Sequence, residues 1–191
     1  DSGGQYLYGT TDVTRTLSLD VQNHKIKEIF TRVLKGHIAV ASFKLNKNSY
    51  GDRIDQSARK FLKDVNLDYP HGTGHGVGYF SNVHEGPQAI SRGNRVKFKE
   101  GMITSNEPGY YKKNQFGIRI ENLLYVKKIR NKLKFENLTL VPIDKTLIEK
   151  ELLTSFEKDW LNKYHQKVFN FLKGFMNRLE LLQLKQACSN I

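Results

Sequence analysis

The sequence lacks the features that mark two large classes of protein. None of its apolar runs approaches the roughly 18 residues that a membrane-spanning helix requires. Its N-terminus does not show a basic segment followed by an apolar one, which is the pattern of a secretory signal. Cysteine is also scarce, because Cys188 is the only one and has no internal partner for a disulfide. We therefore expect no integral membrane protein, and the cysteine content fits a reducing compartment such as the cytoplasm.

The residues that are present are typical of a folded chain. A length of 191 residues suffices for one hydrophobic core or two small ones. Hydrophobic residues make up 38% and charged residues 26%, which are ordinary values for globular domains, and the 11% of aromatic residues argues against disorder. The chain begins with Asp1 rather than methionine, and its apolar pattern begins almost at once. We therefore expect a fragment of a longer polypeptide.

Acidic residues are too few to balance the basic ones. The 31 Lys and Arg residues exceed the 19 Asp and Glu residues, which gives a net charge of +12. The excess is spread along the chain, but it is densest in one patch that no acid interrupts: Lys127, Lys128, Arg130, Lys132 and Lys134. Such a patch could attract nucleic acid or another anionic surface. Alternating basic residues beside a strand are more often one solvated face, so we do not expect nucleic acid as a partner.

The pattern of apolar residues, glycine and proline predicts an α+β chain. The opening stretch, Asp1 to Leu19, is typical of two short strands around a turn. Apolar residues at helical spacing predict one helix from Asn23 to about Phe43 and a second from Asp52 to Asp64. From Pro70 to Pro142 the pattern indicates short strands broken by glycine and proline.

Helices return near the C-terminus. Thr154 and Glu157 have the spacing of a capping box and therefore predict where a long helix begins. We predict a catalytic-type α+β domain at residues 1–142 and a helical extension for docking or dimerisation at residues 143–191. The aromatic helix face is interpreted as core or dimer contact, and it comprises Phe156, Trp160, Tyr164 and Phe171.

Four carboxylates and one histidine stand out as candidates for chemistry: Asp1, Asp12, His75, Glu107 and Glu121. Each lies in a strand-like or glycine-flanked setting, where an ionised acid packs poorly unless something neutralises it. Asp1 and Asp12 are an odd number of positions apart and would face opposite ways on one strand. If the chain reverses between Tyr6 and Gly9, they converge from neighbouring strands. Two ordinary edge aspartates remain the alternative.

The histidines lie in a glycine-rich run, from His71 to Gly78. A period of two would place His71, Thr73 and His75 on one face and the glycines on the other, where another backbone or a ligand can come close. A dinucleotide-binding loop does not fit, because the G-x-G-x-x-G spacing and a following helix pattern are both missing. Taken alone, the two histidines are as consistent with a structural or substrate-contacting role as with a metal site.

The two glutamates stand at strand ends. Pro108 and Gly109 leave Glu107 at the tip of a strand, and alternation places Arg119 and Glu121 on one face. In isolation, Arg119 and Glu121 could form a plain salt bridge. Together, four acids carry a charge that two divalent cations would cancel, and carboxylate-rich ligation suits manganese or magnesium. Two such ions can activate water and polarise a carbonyl, although the spacing alone leaves a mononuclear or empty site open.

Five motifs around these residues closely resemble the Xaa-Pro aminopeptidases (aminopeptidase P). The similarity continues through Leu138–Pro142 into the segment from Trp160 to His165, so it covers nearly the whole chain. In order along the chain, the motifs are Asp1-Ser-Gly-Gly-Gln-Tyr with Thr-Thr-Asp12-Val-Thr-Arg-Thr, His71-Gly-Thr-Gly-His75-Gly-Val-Gly, Asn82-Val-His84-Glu-Gly, Asn106-Glu107-Pro-Gly-Tyr-Tyr, and Gly117-Ile-Arg-Ile-Glu121-Asn.

The resemblance implies a pita-bread (creatinase/aminopeptidase-like) fold with a dinuclear metal centre, most often manganese, with zinc or cobalt as alternatives. The implied substrates are peptides with proline in second position, and the implied assembly is a homodimer formed through the C-terminal region. By position, Asp1 would bind one metal ion and Asp12 and Glu121 would bridge. His75 and Glu107 would hold the other ion.

The resemblance also implies roles beside the metals. Glu107 would act as acid and base, and His84 would contact the scissile carbonyl or the residue on its amino side. His71 would line the proline pocket, and Arg119 would steady Glu121. Members of the family carry roughly half of the pita-bread core upstream of the first metal-binding aspartate, so we expect this chain to be part of a longer polypeptide or a truncated gene product. The alternatives are a prolidase-like or methionine-aminopeptidase-like hydrolase, an inactive truncated relative, or a basic pita-bread binding module.

Overall fold

A computed structural model describes residues 1–46, 49–80 and 82–191. The helices are α1 His24–Ala41, α2 Gly51–Lys63, α3 Ser155–Leu172 and α4 Arg178–Ala187. The strands are β1 Ser2–Tyr6, β2 Gly9–Val13, β3 Lys44–Leu45, β4 Gly74–His75, β5 Ala89–Ile90, β6 Ile103–Asn106, β7 Gly109–Lys112, β8 Phe116–Arg119, β9 Asn122–Ile129 and β10 Lys132–Asn137. Short 3-10 turns lie at Lys145–Leu147, Lys150–Leu152 and Lys173–Phe175.

The chain forms two compact units, which are described separately. The first comprises residues 1–15 and 32–139, and the second comprises residues 16–31 and 140–191. The proposed domain division between residues 142 and 143 stays a prediction.

The first unit is built from antiparallel strands. Its largest sheet has the order β3-β10-β9-β6, and three two-stranded pairs join β1 with β2, β4 with β5, and β7 with β8. Strand β9 contributes apolar side chains to the core, since Leu124 and Val126 are almost inaccessible. The predicted strands around a turn at the N-terminus are confirmed as the β1–β2 hairpin.

The basic patch lies on the hairpin between β9 and β10. Arg130 and Asn131 turn the chain with φ of 46° and 62°, as the tightest hairpin turns require. Lys127 stands opposite Lys134 in the ladder. The Lys127 ammonium lies 3.4 Å from the Glu136 carboxylate, so one acid partly offsets this row of cations.

Both helices predicted in the first part of the chain are confirmed, at α1 and α2. Gly36 lies inside α1, where glycine normally weakens a helix. A Cβ atom at this position would lie 2.5 Å from the carbonyl oxygen of Ala58, which belongs to α2. The glycine therefore permits close approach of the two helices.

Helix α2 anchors the segment that leads to the histidines. Arg59 donates from Nε to Asp55 at 2.8 Å and from Nη1 to the carbonyl oxygen of Tyr69 at 2.8 Å. Asp55 also accepts a hydrogen bond from the Thr73 hydroxyl at 2.6 Å. Since the Asp55 and Arg59 side chains are only 3% and 11% exposed, this is a buried ion pair with additional hydrogen bonds.

We expect the Asp55→Ala variant to lose about 3–5 kcal/mol of unfolding free energy, because it leaves the Arg59 charge buried without its main partner. Denaturant unfolding of the variant and the parent measures the loss. Asp64→Ala, directly after the same helix, is the matched control, because its pair with Lys60 is exposed and such pairs contribute about 0–1 kcal/mol. Equal losses in the two variants would contradict the anchoring role.

The second unit contains the capped helix that the sequence predicts. The Glu157 amide donates to the Thr154 hydroxyl, and the Thr154 amide donates to the Glu157 carboxylate, so the capping box is confirmed at the start of α3.

Only part of the aromatic face of α3 is packed against the rest of the second unit. Trp160 stacks on Tyr164 with the ring centroids 5.5 Å apart, and the Tyr164 hydroxyl donates to the carbonyl oxygen of Val141. Phe156 and Phe171 are 60% and 59% exposed, so they are not core residues of this unit. In the described part of the chain, no helix combines the length and the apolar character needed to cross a bilayer.

Candidate metal centre

The structure brings all five predicted ligands together in the first unit. Their donor atoms form three overlapping groups, within each of which the atoms lie no more than 4.8 Å apart. The groups are Asp1, Asp12 and Glu121; His75, Glu107 and Glu121; and Asp12, His75 and His84.

Asp1 and Asp12 converge through the β1–β2 hairpin. Asp12 lies opposite Gly3 in the ladder, and Asp1 is two residues before Gly3. Residues directly opposite in an antiparallel pair share a face, as do residues two apart on one strand. Both carboxylates therefore project from the same face, although Asp1 is exposed and Asp12 is 9% exposed.

His75 is held between two glycines that permit close backbone contact. A Cβ atom on Gly74 would lie 2.0 Å from the carbonyl oxygen of Ser105, and one on Gly76 would lie 2.0 Å from that of Glu85. The absence of side chains at these two glycines therefore allows the backbone at Ser105 and at Glu85 to pack directly against this segment. The strand is confined to Gly74–His75. Thr73 is fully buried and bonded to Asp55, so it does not line a common surface with the half-buried His71.

The His75 ring lies between two carboxylates and a second imidazole. Its Nε2 atom is 3.4 Å from Asp12 Oδ2 and 3.2 Å from Glu107 Oε1, while its Nδ1 atom lies 3.0 Å from the carbonyl oxygen of Gly76. The ring of His84 stands edge-on to that of His75, with centroids 4.2 Å apart.

Glu107 follows the end of β6, as the sequence predicts. Its amide donates to the carbonyl oxygen of Thr73 at 2.7 Å, and its Oε1 atom accepts a hydrogen bond from the Ser105 hydroxyl at 2.9 Å. The same hydroxyl accepts from the His75 amide at 2.9 Å. Ser105 therefore fixes two candidate ligands relative to each other.

Glu121 is the most deeply buried acid of the cluster, with 1% exposure. The Thr14 hydroxyl donates to its Oε2 atom at 2.6 Å. Its Oε1 atom is also buried but has no hydrogen-bond partner among the described residues. Burial, together with the charges of Glu107 and Asp12, raises the pKa of Glu121 to about 7. A cation beside the unpartnered oxygen would offset this electrostatic cost.

The electrostatics of His75 lead to the same conclusion. Burial opposes a charge on the ring, but hydrogen bonds with Asp12 and Glu107 outweigh burial and raise the pKa of His75 to about 10. A proton on His75 thus offsets part of the negative charge of the cluster. A metal ligand must be neutral imidazole, so binding of a cation would displace this proton. The buried carboxylates, the imidazole and the unpartnered Oε1 atom fit a divalent ion that prefers oxygen ligands.

Arg119 reaches Glu121 through Thr14, a residue that the sequence reasoning missed. The Arg119 Nε atom donates to the Thr14 hydroxyl at 2.9 Å, and this hydroxyl donates to Glu121. Arg119 also donates from Nη2 to Asp1. Thr14 stands two positions after Asp12, so the alternation of a strand could have placed the two on one face.

A second missed residue, Tyr111, joins His71 to Arg119. The Tyr111 hydroxyl lies 2.8 Å from His71 Nε2 and 3.4 Å from Arg119 Nη1. Ser105 was missed as well, although it stands two positions before Glu107. Tyr111 has no comparable spacing signal, because its position depends on the pairing of β7 with β8.

Carboxylates and imidazoles that converge from short strands and from the segments beside them are typical of metallohydrolases with a carboxylate-rich metal site. Residues 1–128 match metallopeptidase family M24, and residues 131–191 match the C-terminal region of the same peptidases. The chain belongs to metallopeptidase family M24.

Curated relatives agree with this assignment. The chain is 46% identical to a probable Xaa-Pro aminopeptidase P of Laccaria bicolor, an alignment that covers 99% of the chain and 32% of that protein. It is 49% identical to aminopeptidase P2 of Arabidopsis thaliana over 88% of the chain and 25% of that protein. The chain thus spans about a third or less of the length of these relatives.

Solved structures confirm the pita-bread α+β fold and the resemblance noted in the sequence. The X-prolyl aminopeptidase of Caenorhabditis elegans, described as a cytosolic enzyme with a di-nuclear active site, matches with a TM-score of 0.93 and 40% identity. The match covers 100% of this chain and 33% of that one. The prolidase of Pyrococcus furiosus matches with a TM-score of 0.65 and 29% identity, over 73% of this chain and 40% of its own.

Proposed function

We propose that this chain carries the metal centre of an aminopeptidase that releases the N-terminal residue from peptides with proline in second position. The observation that carries the proposal is the convergence of the five predicted ligands in overlapping donor groups, two of which include Glu121 with its buried, unpartnered Oε1 atom. The similarity to the nematode X-prolyl aminopeptidase extends over the whole chain, whereas the similarity to the prolidase covers less of it. This difference favours the aminopeptidase over the prolidase-like alternative.

The proposed cofactor is a pair of divalent ions, most readily Mn²⁺, with Zn²⁺ or Co²⁺ as alternatives. Asp1 would hold one ion, His75 and Glu107 would hold the other, and Asp12 with Glu121 would serve both. When bound, such ions activate a water molecule and polarise the scissile carbonyl. The overlap of the three donor groups at Asp12, His75 and Glu121 supports two adjacent positions rather than one.

The chain's own residues would handle protons and position the substrate. Glu107 would accept the proton of the attacking water and return it to the leaving amine, with Ser105 fixing its carboxylate. His84, edge-on to His75, would donate a hydrogen bond to the oxyanion that develops at the carbonyl. His71 would line the proline pocket, with its orientation fixed by Tyr111. Arg119 would keep Asp1 ionised and would orient Glu121 through Thr14.

Peptide hydrolysis by the polypeptide encoded by the complete gene tests the proposal. We expect Mn²⁺-dependent release of alanine from Ala-Pro-Ala, and turnover of Ala-Ala-Ala that is at least about tenfold slower, because a pocket shaped for the proline ring must select the substrate. Chelation should abolish the release, and added Mn²⁺ should restore it. Cleavage of the dipeptide Ala-Pro alone would support the prolidase-like alternative instead. Equal rates with and without metal would refute both.

The location and the assembly rest on two further observations. We propose a cytoplasmic enzyme, as the nematode relative is described to be. We propose a second copy of the chain as the partner of the C-terminal region. Apolar side chains that a monomer leaves in water on α3, on α4 and on the 3-10 turn between them support this proposal, namely Phe171, Phe175, Leu179 and Leu182.

A further inference from the structure

Glu121 lies on an interruption between two strands. Strand β8 ends at Arg119 and β9 begins at Asn122, so Ile120 and Glu121 are not part of the hydrogen-bonded ladder of either strand. Both residues are nevertheless fully buried. Backbone groups buried in this way need partners elsewhere, and those partners determine where the Glu121 side chain points.

Four contacts from outside the ladder hold this interruption. The Ile120 amide donates to Pro108 and the Glu121 amide donates to Thr14, at 3.3 and 3.0 Å. Burial lowers the pKa of His37 to about 3, so its ring is neutral and its Nδ1 atom lies 3.2 Å from the carbonyl oxygen of Ile120. The fourth partner is Arg15, which donates from Nη1 to the carbonyl oxygen of Glu121 at 2.7 Å.

The Arg15 guanidinium joins both sides of the candidate centre. Besides the Glu121 carbonyl oxygen, Nη1 contacts the carbonyl oxygen of Thr14 at 2.9 Å, and Nη2 donates to Asn122 Oδ1 at 2.7 Å. Asn122 is fully buried and donates in turn to Asn137 at 2.8 Å. Arg15 follows directly on the segment that carries Asp12 and Thr14. One side chain therefore ties that segment to the Glu121 carbonyl oxygen and to the Asn122 side chain.

We propose that Arg15 is a positioning residue that fixes Glu121 relative to Asp12 and so sets the geometry of the metal centre. The inference rests on the proposed function, since it presupposes that these carboxylates bind metal ions. A planar guanidinium can direct two diverging donors at a carbonyl and an amide oxygen at once, whereas a lysine ammonium reaches them less well. Because Arg15 donates to the carbonyl oxygen of Glu121, its effect on the carboxylate passes through the Glu121 backbone.

The test measures metal binding as well as activity, on the polypeptide encoded by the complete gene. Co²⁺ titrations followed by calorimetry and by visible absorption compare the parent with Arg15→Met and Arg15→Lys. We expect Arg15→Met to bind Co²⁺ about 10–100-fold more weakly, as is typical when a residue that orients a ligand is lost, and to show an altered absorption spectrum. Arg15→Lys should recover part of the affinity. For peptide cleavage, kcat should fall while KM stays within about twofold.

Two controls separate positioning from general destabilisation. Arg92→Met removes an exposed arginine and should bind Co²⁺ as the parent does. Leu62→Ala removes a fully buried side chain of α2; it should lower the melting temperature yet leave the Co²⁺ affinity and spectrum unchanged at a temperature where it is folded. If Arg15→Met does not fold, Arg15→Lys decides the question.

The outcomes distinguish this inference from the proposed function. Affinity and spectrum within twofold of the parent in the folded Arg15 variant would overturn the positioning role while leaving the metal centre intact. A parent protein that binds no Co²⁺ or Mn²⁺ would overturn the proposed function itself.

Discussion

Replacing Glu107 with glutamine will lower kcat for an Xaa-Pro peptide by about 10²–10⁴-fold, the range expected when a general acid–base is removed. Glutamine keeps the size of the side chain and can still meet the Ser105 hydroxyl, which bonds Glu107 Oε1 at 2.9 Å. It cannot accept a proton from water. Steady-state rates at saturating Mn²⁺, on the polypeptide encoded by the complete gene, measure the effect.

The control for this experiment is Glu100→Gln, which changes the same group at an exposed position. It should cleave the peptide at the rate of the parent. If Glu107→Gln turned over the peptide as fast as the control, Glu107 would have no role in the mechanism. The metal content of the variant, measured in parallel, shows how much of any loss in rate comes from weaker metal binding.

Replacing Asp12 with asparagine will remove most of the stabilisation that metal ions give. A ligand present at 100 times its dissociation constant stabilises the folded state by about 2.7 kcal/mol. Asp12 lies in two of the three donor groups, and its Oδ2 atom is 3.4 Å from His75 Nε2. An amide oxygen carries no charge to balance the ions, so the variant should gain less than about 1 kcal/mol at the same Mn²⁺ concentration. Denaturant unfolding with and without Mn²⁺ measures both values.

Asp20→Asn serves as the reference, because Asp20 is exposed and lies in the second unit. It should retain the full stabilisation by Mn²⁺. If Asp12→Asn gained as much as this reference, Asp12 would not be a ligand, and the bridging position would have to be assigned to Glu121 alone.

Local periodicity was sufficient to find several elements of the fold, including the hairpin that carries two of the candidate ligands. The capping box at Thr154 and the helices α1 and α2 follow from residue spacing over a few turns. The convergence of Asp1 and Asp12 also follows from local rules, since a turn between two short strands reverses the chain. These features depend on neighbours in sequence, where spacing carries the information.

Contacts between segments that are distant in the sequence could not be predicted from local residue spacing. Arg119 and Glu121 were expected to interact as neighbours on one face, but Thr14 lies between them, and it comes from a hairpin more than a hundred positions away. The buried His37 is another example, because nothing in the pattern of α1 shows that its ring meets the Ile120 carbonyl oxygen. The period of two around His75 was likewise interrupted by the anchoring of Thr73 on α2.

The separation of the ligands in the chain has a consequence for the order of folding. Positions 1 and 121 supply carboxylates to the same donor group, so a loop of more than a hundred residues must close before that group exists. Closing such a loop costs entropy, and pairings of this range form late. We therefore expect the visible absorption of bound Co²⁺ to remain unchanged during refolding while the helices and hairpins form. It should rise only in the last stage, when the distant ligands have come together.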